Sequence, residues 1–270
     1  MCSNQIDSLD ISVFGAIPSQ TSERDKRSLL AIQRATARRH QEYSYLEIGS
    51  HLGGSIQPYL LDDRCKRIYS IDPRPAQQPD DRRPGYVAFY EDNSSERMLA
   101  LLEDIGHGDI SKIECIDSDA SEIDPHCIQD VPDITFIDGE HTRAAVVSDF
   151  RFCEQVVSNS GTIVFHDFGI IYPAILDACR DLRRKHRKFV PLKLEGNVFA
   201  IFFDADKIHM DAYLAAIYRK NRLVSLFLLK NRLKLILPSP ALGALRAMRN
   251  LFRQKKTEQG AATDARTSRG

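Results

Sequence analysis

The sequence predicts an α/β protein with a mostly parallel sheet. Three observations carry this. Short apolar runs rich in Ile, Val, Phe and Tyr recur between positions 45 and 203. Helical stretches fill the gaps between them. A charged or polar residue stands at the carboxyl end of most runs: Glu47, Asp72, Asp119, Asp138 and Asp167. Strands alternating with helices mean βαβ units. Ligands of such sheets bind beyond the carboxyl ends of the strands.

Taken in order, residues 1–20 show no period and are expected to be an irregular lead-in. Ser22-Glu23-Arg24-Asp25 resembles a capping box, and Leu29, Leu30, Ile32 and Ala35 follow at helical spacing, so a helix is expected over 22–39. Strands are expected at 45–48, 67–71, 112–116, 134–137 and 162–165, with a closing pair at 189–194 and 198–203 joined at Glu195-Gly196-Asn197. The clearest helices between them are 93–104, 143–158 and 171–186. The loops at 73–92 and 168–175 would shape a substrate pocket with the lead-in.

Composition narrows the class. The chain has 270 residues, 43% of them hydrophobic and 27% charged, which is enough for a packed core and too apolar for wholesale disorder. Cysteines at 2, 65, 115, 127, 153 and 179 form no C-x-x-C pair. They read as thiols of a reduced, intracellular protein, with Cys115 and Cys153 in apolar runs. The first residues, MCSNQIDSLD, lack the basic and apolar regions of a secretory leader, and no run is apolar enough to span a membrane. A cytoplasmic protein is expected.

Charge is balanced overall but not locally. Residues 212–257 carry eleven Lys and Arg and no Asp or Glu, leaving residues 1–211 with 24 basic and 35 acidic residues. We expect a main domain over 1–206, a basic amphipathic helical arm over 207–253 and a disordered tail over 254–270. Helices are expected at 223–237 and 241–252, broken at Pro238-Ser239-Pro240. Such an arm over 213–253 suits an anionic membrane surface. Packing on its own domain or on a second copy of the chain would use the same apolar face. Nucleic acid is disfavoured because aromatic residues are scarce there.

The first strand runs into Glu47-Ile48-Gly49-Ser50-His51-Leu52-Gly53-Gly54-Ser55. The glycines permit a sharp turn and close approach of a ligand to the backbone. His51 breaks the G-x-G-x-x-G pattern of dinucleotide sites, so a cofactor without phosphates fits better than a nicotinamide dinucleotide. Asp72, ending the next strand, is placed to accept ribose hydroxyls. A glycine-rich connection without a ligand is the alternative.

The pattern E-x-G-x-x-x-G-x-S, present as Glu47, Gly49, Gly53 and Ser55, resembles motif I of class I S-adenosylmethionine-dependent methyltransferases. The likeness covers about 22–204 and is strongest to the catechol and macrocin O-methyltransferase branches. It implies a Rossmann-like, doubly wound sheet of seven strands with an antiparallel last strand. It also implies that Glu47 and Gly49 line the methionine end of the cofactor and that Ser50, Gly53 and Ser55 belong to the cofactor-binding residues. Asp72 would hold the ribose, Asp119 and Ala120 would flank the adenine, and Asp138 would border the site.

Asp138 ends strand four and His166-Asp167 ends strand five, so adjacent strands bring both acids to one edge. Carboxylates with an open position suit a hard cation such as magnesium, which would lower the pKa of a substrate hydroxyl. The metal-dependent O-methyltransferases are similar here, and the likeness implies Asp138, His166 and Asp167 as ligands. The histidine at His166 departs from their usual carboxylate and brings manganese into consideration. The same likeness implies that His141, three residues past Asp138, is the general base. The plainer alternative is that Asp138 caps the next helix and His166 is a core histidine.

The expected function is therefore methyl transfer from S-adenosylmethionine to a hydroxyl of a sugar or small metabolite. Rival readings are a catalytically inactive scaffold with the same fold and a nicotinamide-dependent oxidoreductase.

Overall fold

The computed structural model describes residues 2–223. The chain divides into two units, residues 1–219 and 220–270. The first unit contains the whole sheet, and its limit falls beyond the boundary expected at 206. The helices expected at 223–237 and 241–252, and the tail at 254–270, lie outside the described residues. Among the described residues no helix is long and apolar enough to cross a membrane.

Seven strands form the main sheet: β1 (Tyr43–Ile48), β2 (Cys65–Ile71), β5 (Ile113–Ile116), β6 (Ile134–Ile137), β7 (Thr162–Phe165), β8 (Val190–Lys193) and β9 (Phe199–Phe202). Their order is β5-β2-β1-β6-β7-β9-β8. Pairing is parallel from β5 to β7, and β9 runs antiparallel to both of its neighbours. The expected seven-stranded doubly wound sheet with an antiparallel last strand is thus present.

Both faces are covered, so the strands read as apolar runs rather than as alternating patterns. The pleat sends successive residues to opposite sides. Val164 joins one core layer with Phe14, Leu30, Tyr45 and Phe136. Ile163 and Phe165 join the other, with Phe150 and Ile175. The first layer is roofed by α2 (Glu23–His40), the second by α5 (Arg143–Val156) and α6 (Phe168–Arg184).

The lead-in is more ordered than its sequence suggests. It forms α1 (Cys2–Ser8) and a 3-10 turn (Ile11–Phe14), and it buries Ile6, Val13, Phe14 and Ile17. Four anchors at irregular spacing show no period, yet all four join the apolar core, and the Gln57 side chain fixes the end of the segment by accepting from the backbone N–H groups of Ala16 and Ile17. Gln57 begins α3 (Gln57–Leu60), a short helix after the glycine turn. α4 (Ser95–Glu103) matches the expected helix at 93–104.

The capping box holds: Ser22 accepts from the Asp25 N–H, and Asp25 accepts from the Ser22 N–H. Residues 168–170, expected as loop, are the first turn of α6, which carries Pro173 inside it. A proline crowds the carbonyl four residues earlier; here that residue is Gly169, which faces open space. The loop at 73–92 contains a second, two-stranded sheet of β3 (Gln77–Pro79) and β4 (Val87–Phe89).

Part of the expected arm belongs to the first unit. α7 (Asp206–Met210) buries Lys207 and Ile208, and the helical residues 212–219 that follow bury Leu214. Asp211 begins that helix by accepting from the N–H groups of Tyr213 and Leu214. Its carboxylate also takes a two-pronged bond from Arg34 of α2, at 2.7 and 2.9 Å.

Candidate functional site

Register aligns the site. Ile48 pairs with Ile71 and with Ile137, and Ile137 pairs with Phe165. The next residue on each strand, Gly49, Asp72, Asp138 and His166, therefore shares one row at the carboxyl edge. Backbone bonds from Gly49 N to Ile71 O (2.9 Å), Asp138 N to Ile48 O (2.9 Å) and His166 N to Ile137 O (3.1 Å) fix that row.

The turn after β1 needs its glycines. Gly49 has φ +89°, and a Cβ there would overlap the Asp138 carbonyl and Gly139. Gly53 has φ +81° and His51, unusually for a non-glycine, φ +45°. Asp72 stabilises the turn: its Oδ2 accepts from the His51 N–H (3.1 Å) and its Oδ1 from the Arg74 N–H (2.8 Å). The Arg74 guanidinium donates to the His51 carbonyl at 2.8 Å and to the Ser70 hydroxyl at 2.9 Å. Ser70 in turn donates to Ser50. Arg74 is a fixed clamp on this motif, and nothing in its local sequence distinguished it from its neighbours.

Glu47 lies one position inside β1 and is fully buried. Ser55 and Tyr45 both donate to its carboxyl. Burial pushes its pKa up to about 8, with Asp138 adding to the rise and the two hydroxyls opposing it. Glu47 therefore braces the turn through Ser55, while Ser55, Ser50 and Gly49 line the cleft. On the far side of Gly49 and Asp72, a cavity of about 220 Å³ is bordered by Asp119 and Ala120. The Asp119 carboxylate caps the turn at 120–122 by accepting from the Ser121 N–H.

The second cluster lies beside the cleft. Asp138, His141 and Asp167 each offer a ligand atom, all within 4.8 Å of one another. His166 is not in that group. Its Nδ1 bonds Asp138 Oδ1 at 3.0 Å, and its Nε2 faces Asp25 at 3.6 Å. Burial would lower the His166 pKa, but Asp138, Asp167 and Asp25 together push it up to about 12. Asp25 is buried too; that burial raises its carboxyl, yet His166, Ser22 and the Asn197 N–H hold it well below the usual carboxylate range. The acid of the α2 capping box thus also props up the site. Asp138 does not cap the following helix, because Thr142 does.

His141 is held from behind. Its Nδ1 is 2.8 Å from Asp80 Oδ2, and Asp80 and His141 form a backbone bridge. Asp80 is buried and accepts from the Arg82 N–H and guanidinium. The His141 Nε2 points to Asp167 Oδ2 at 3.1 Å with no hydrogen-bond partner. With Nδ1–H donated to Asp80, Nε2 meets the Asp167 carboxylate either through a proton of its own or as a second acceptor, and in the second case a cation beside the two would satisfy both. Two carboxylates and an orphaned imidazole nitrogen therefore fit a divalent ion.

Strand order, with the antiparallel last strand, gives this chain the fold of class I S-adenosylmethionine-dependent methyltransferases. A protein family described as a methyltransferase domain matches residues 46–168, the segment from β1 to the start of α6. The uncharacterized protein R132 of Acanthamoeba polyphaga mimivirus is 26% identical over 163 residues, 57% of this chain and 66% of its own length. The structure of the O-methyltransferase NovP superposes with a TM-score of 0.55 at 14% identity, over 75% of this chain and 99% of that one. The MycE methyltransferase of the mycinamycin pathway, solved with Mg and SAH, gives 0.47 at 18% identity, over 74% of this chain and 56% of that one. The chain thus spans just over half of MycE and just under two thirds of the viral protein.

Proposed function

We propose that this chain transfers the methyl group of S-adenosylmethionine to a hydroxyl of a polar, sugar-like acceptor with the help of a divalent cation. The observation that carries the reading is one continuous edge. The glycine turn and Asp72 border a cavity free for a nucleoside, and the Asp138–His141–Asp167 cluster opens onto the adjoining cleft. The Asp72 carboxylate uses one site on each oxygen for the turn, and each oxygen has a further lone pair for a ribose hydroxyl.

Asp138 and Asp167 would hold the cation, which lowers the pKa of a hydroxyl brought to it. Asp80 fixes the His141 ring so that Nε2 faces the cleft, where it takes the acceptor proton. His166, tied to Asp138 and Asp25, keeps the Asp138 carboxylate in place. Ser19, Gln20, Thr21, Gln78 and Asn93 line the cleft with hydrogen-bonding groups, which suits a polyhydroxylated acceptor. Tyr90 closes the wall against the edge of His51, with ring centroids 5.1 Å apart.

A second reading gives His141 Nε2 to the cation as third ligand, with Asp80 behind it, because the three ligand atoms converge. Calorimetric titration with S-adenosylhomocysteine, and with magnesium or manganese, tests both. Cofactor binding lost in Asp72→Ala, with no heat from NADH, supports the methyltransferase. Its absence in the wild type returns the scaffold reading. His141→Gln separates the two roles: unchanged metal affinity with lost transfer makes it the base, and an affinity lowered about 10–100-fold makes it a ligand.

A further inference from the structure

One buried carboxyl is not used by the chemistry above. Asp149 sits on the inner face of α5 and is 6% exposed. It borders the 220 Å³ cavity together with Ala120, Gly139 and Ala145. Its Oδ2 lies 3.7 Å from the point where a Cβ on Gly139 would stand. Among the described residues no group donates to it and no cation pairs with it. The charged groups nearest in effect are Asp119 and Glu140, both repulsive. A buried polar side chain without a partner is uncommon, and each instance asks for a reason.

We propose that Asp149 reads the base of the cofactor, its carboxyl hydrogen-bonding the amino-bearing edge of the adenine. The inference rests on the S-adenosylmethionine reading and goes beyond it by naming the group that selects the base. Asp119 is the less suitable reader. It is exposed, and one of its oxygens already accepts the Ser121 N–H (2.8 Å) and hydroxyl (2.6 Å). Asp149 is only 6% exposed and faces the cavity, whereas Asp119 is exposed, so a hydrogen bond to Asp149 is worth more.

The chemistry is complementary. Burial, with Asp119 and Glu140 adding to it, pushes the Asp149 pKa up to about 8. Near neutral pH the group is then largely a carboxylic acid, with one donor and one acceptor side by side. Asparagine has the same arrangement and pairs in two-pronged fashion with adenine. Gly139 supports this placement, since it has no side chain to fill the space between Asp149 and the turn at Gly49.

The test compares binding of S-adenosylhomocysteine with that of its analogue whose purine lacks the 6-amino group. Calorimetry is done on wild type, Asp149→Leu and Asp149→Asn. Wild type should favour the amino-bearing ligand by about tenfold, the size of one well-placed hydrogen bond. Asp149→Leu should bind both ligands alike and more weakly than wild type binds the first. Asp149→Asn should restore the preference. A folded Asp149→Leu, checked by its melting temperature, that keeps the wild-type preference overturns the proposal. So does a wild type with no preference. A wild type that binds neither ligand instead removes the cofactor reading, and this inference with it.

Discussion

Glu47 should make this protein less stable as pH rises, and Glu47→Gln should remove that loss. The carboxyl is fully buried, and burial raises its pKa from 4.5 to about 8. In the unfolded chain it ionises near its ordinary value. Between those two values the native state binds more protons than the unfolded state, so stability falls with rising pH. The contribution is whole below pH 4.5 and gone above about 8. At ~1.4 kcal/mol per pH unit the span amounts to up to about 5 kcal/mol. Gln mimics the protonated acid: its amide oxygen accepts from one of the Tyr45 and Ser55 hydroxyls and its amide N–H donates to the oxygen of the other. Urea denaturation at a series of pH values from 5 to 9, in metal-free buffer, measures the effect. Wild type should lose stability more steeply than Glu47→Gln across this range, with the curves parallel above about 8. Curves that are parallel throughout would refute the reasoning and mean that Glu47 is ionised in the native protein.

Three further outcomes are expected. Gly49→Ala combines a left-handed backbone with overlap on the Asp138 carbonyl, at a cost of about 2–5 kcal/mol; denaturation should show the loss, and calorimetry should show no cofactor binding. Asp80→Ala removes the partner of His141 Nδ1 and should lower methyl transfer about 10–100-fold; cofactor affinity, measured in parallel, should be unchanged. Arg34→Ala removes the two-pronged partner of the fully buried Asp211 carboxylate, leaving it only the more distant Arg38 at 3.9 Å, and should cost up to about 3–5 kcal/mol, read from urea midpoints; an unchanged midpoint would mean that Arg38 takes over the pairing.

The strands were legible because each is a short apolar run ending in a polar residue. The sites followed from that punctuation: Glu47, Gly49, Asp72, Asp138 and Asp167 were found as strand-end residues. The lead-in was not legible, because Ile6, Val13, Phe14 and Ile17 obey no period, and the stretch from Phe14 to Ile17 is tied to Gln57, forty residues or so away. The hairpin of β3 and β4 was missed for a related reason, since three-residue strands give too little pattern to read.

The two histidines mark the limit most clearly. Sequence placed His141 and His166 at the ends of neighbouring strands and so at one site. It could not say which nitrogen of each ring would face inward. Asp80, in a hairpin far along the chain, turns Nε2 of His141 toward Asp167. Asp25, in the capping box of α2, stands before Nε2 of His166, while the other nitrogen bonds Asp138. Periodicity and chain order determine the sheet and the row of residues at its edge, because those are local properties of the backbone. The partner that orients each side chain comes from another element, and only packing brings it there.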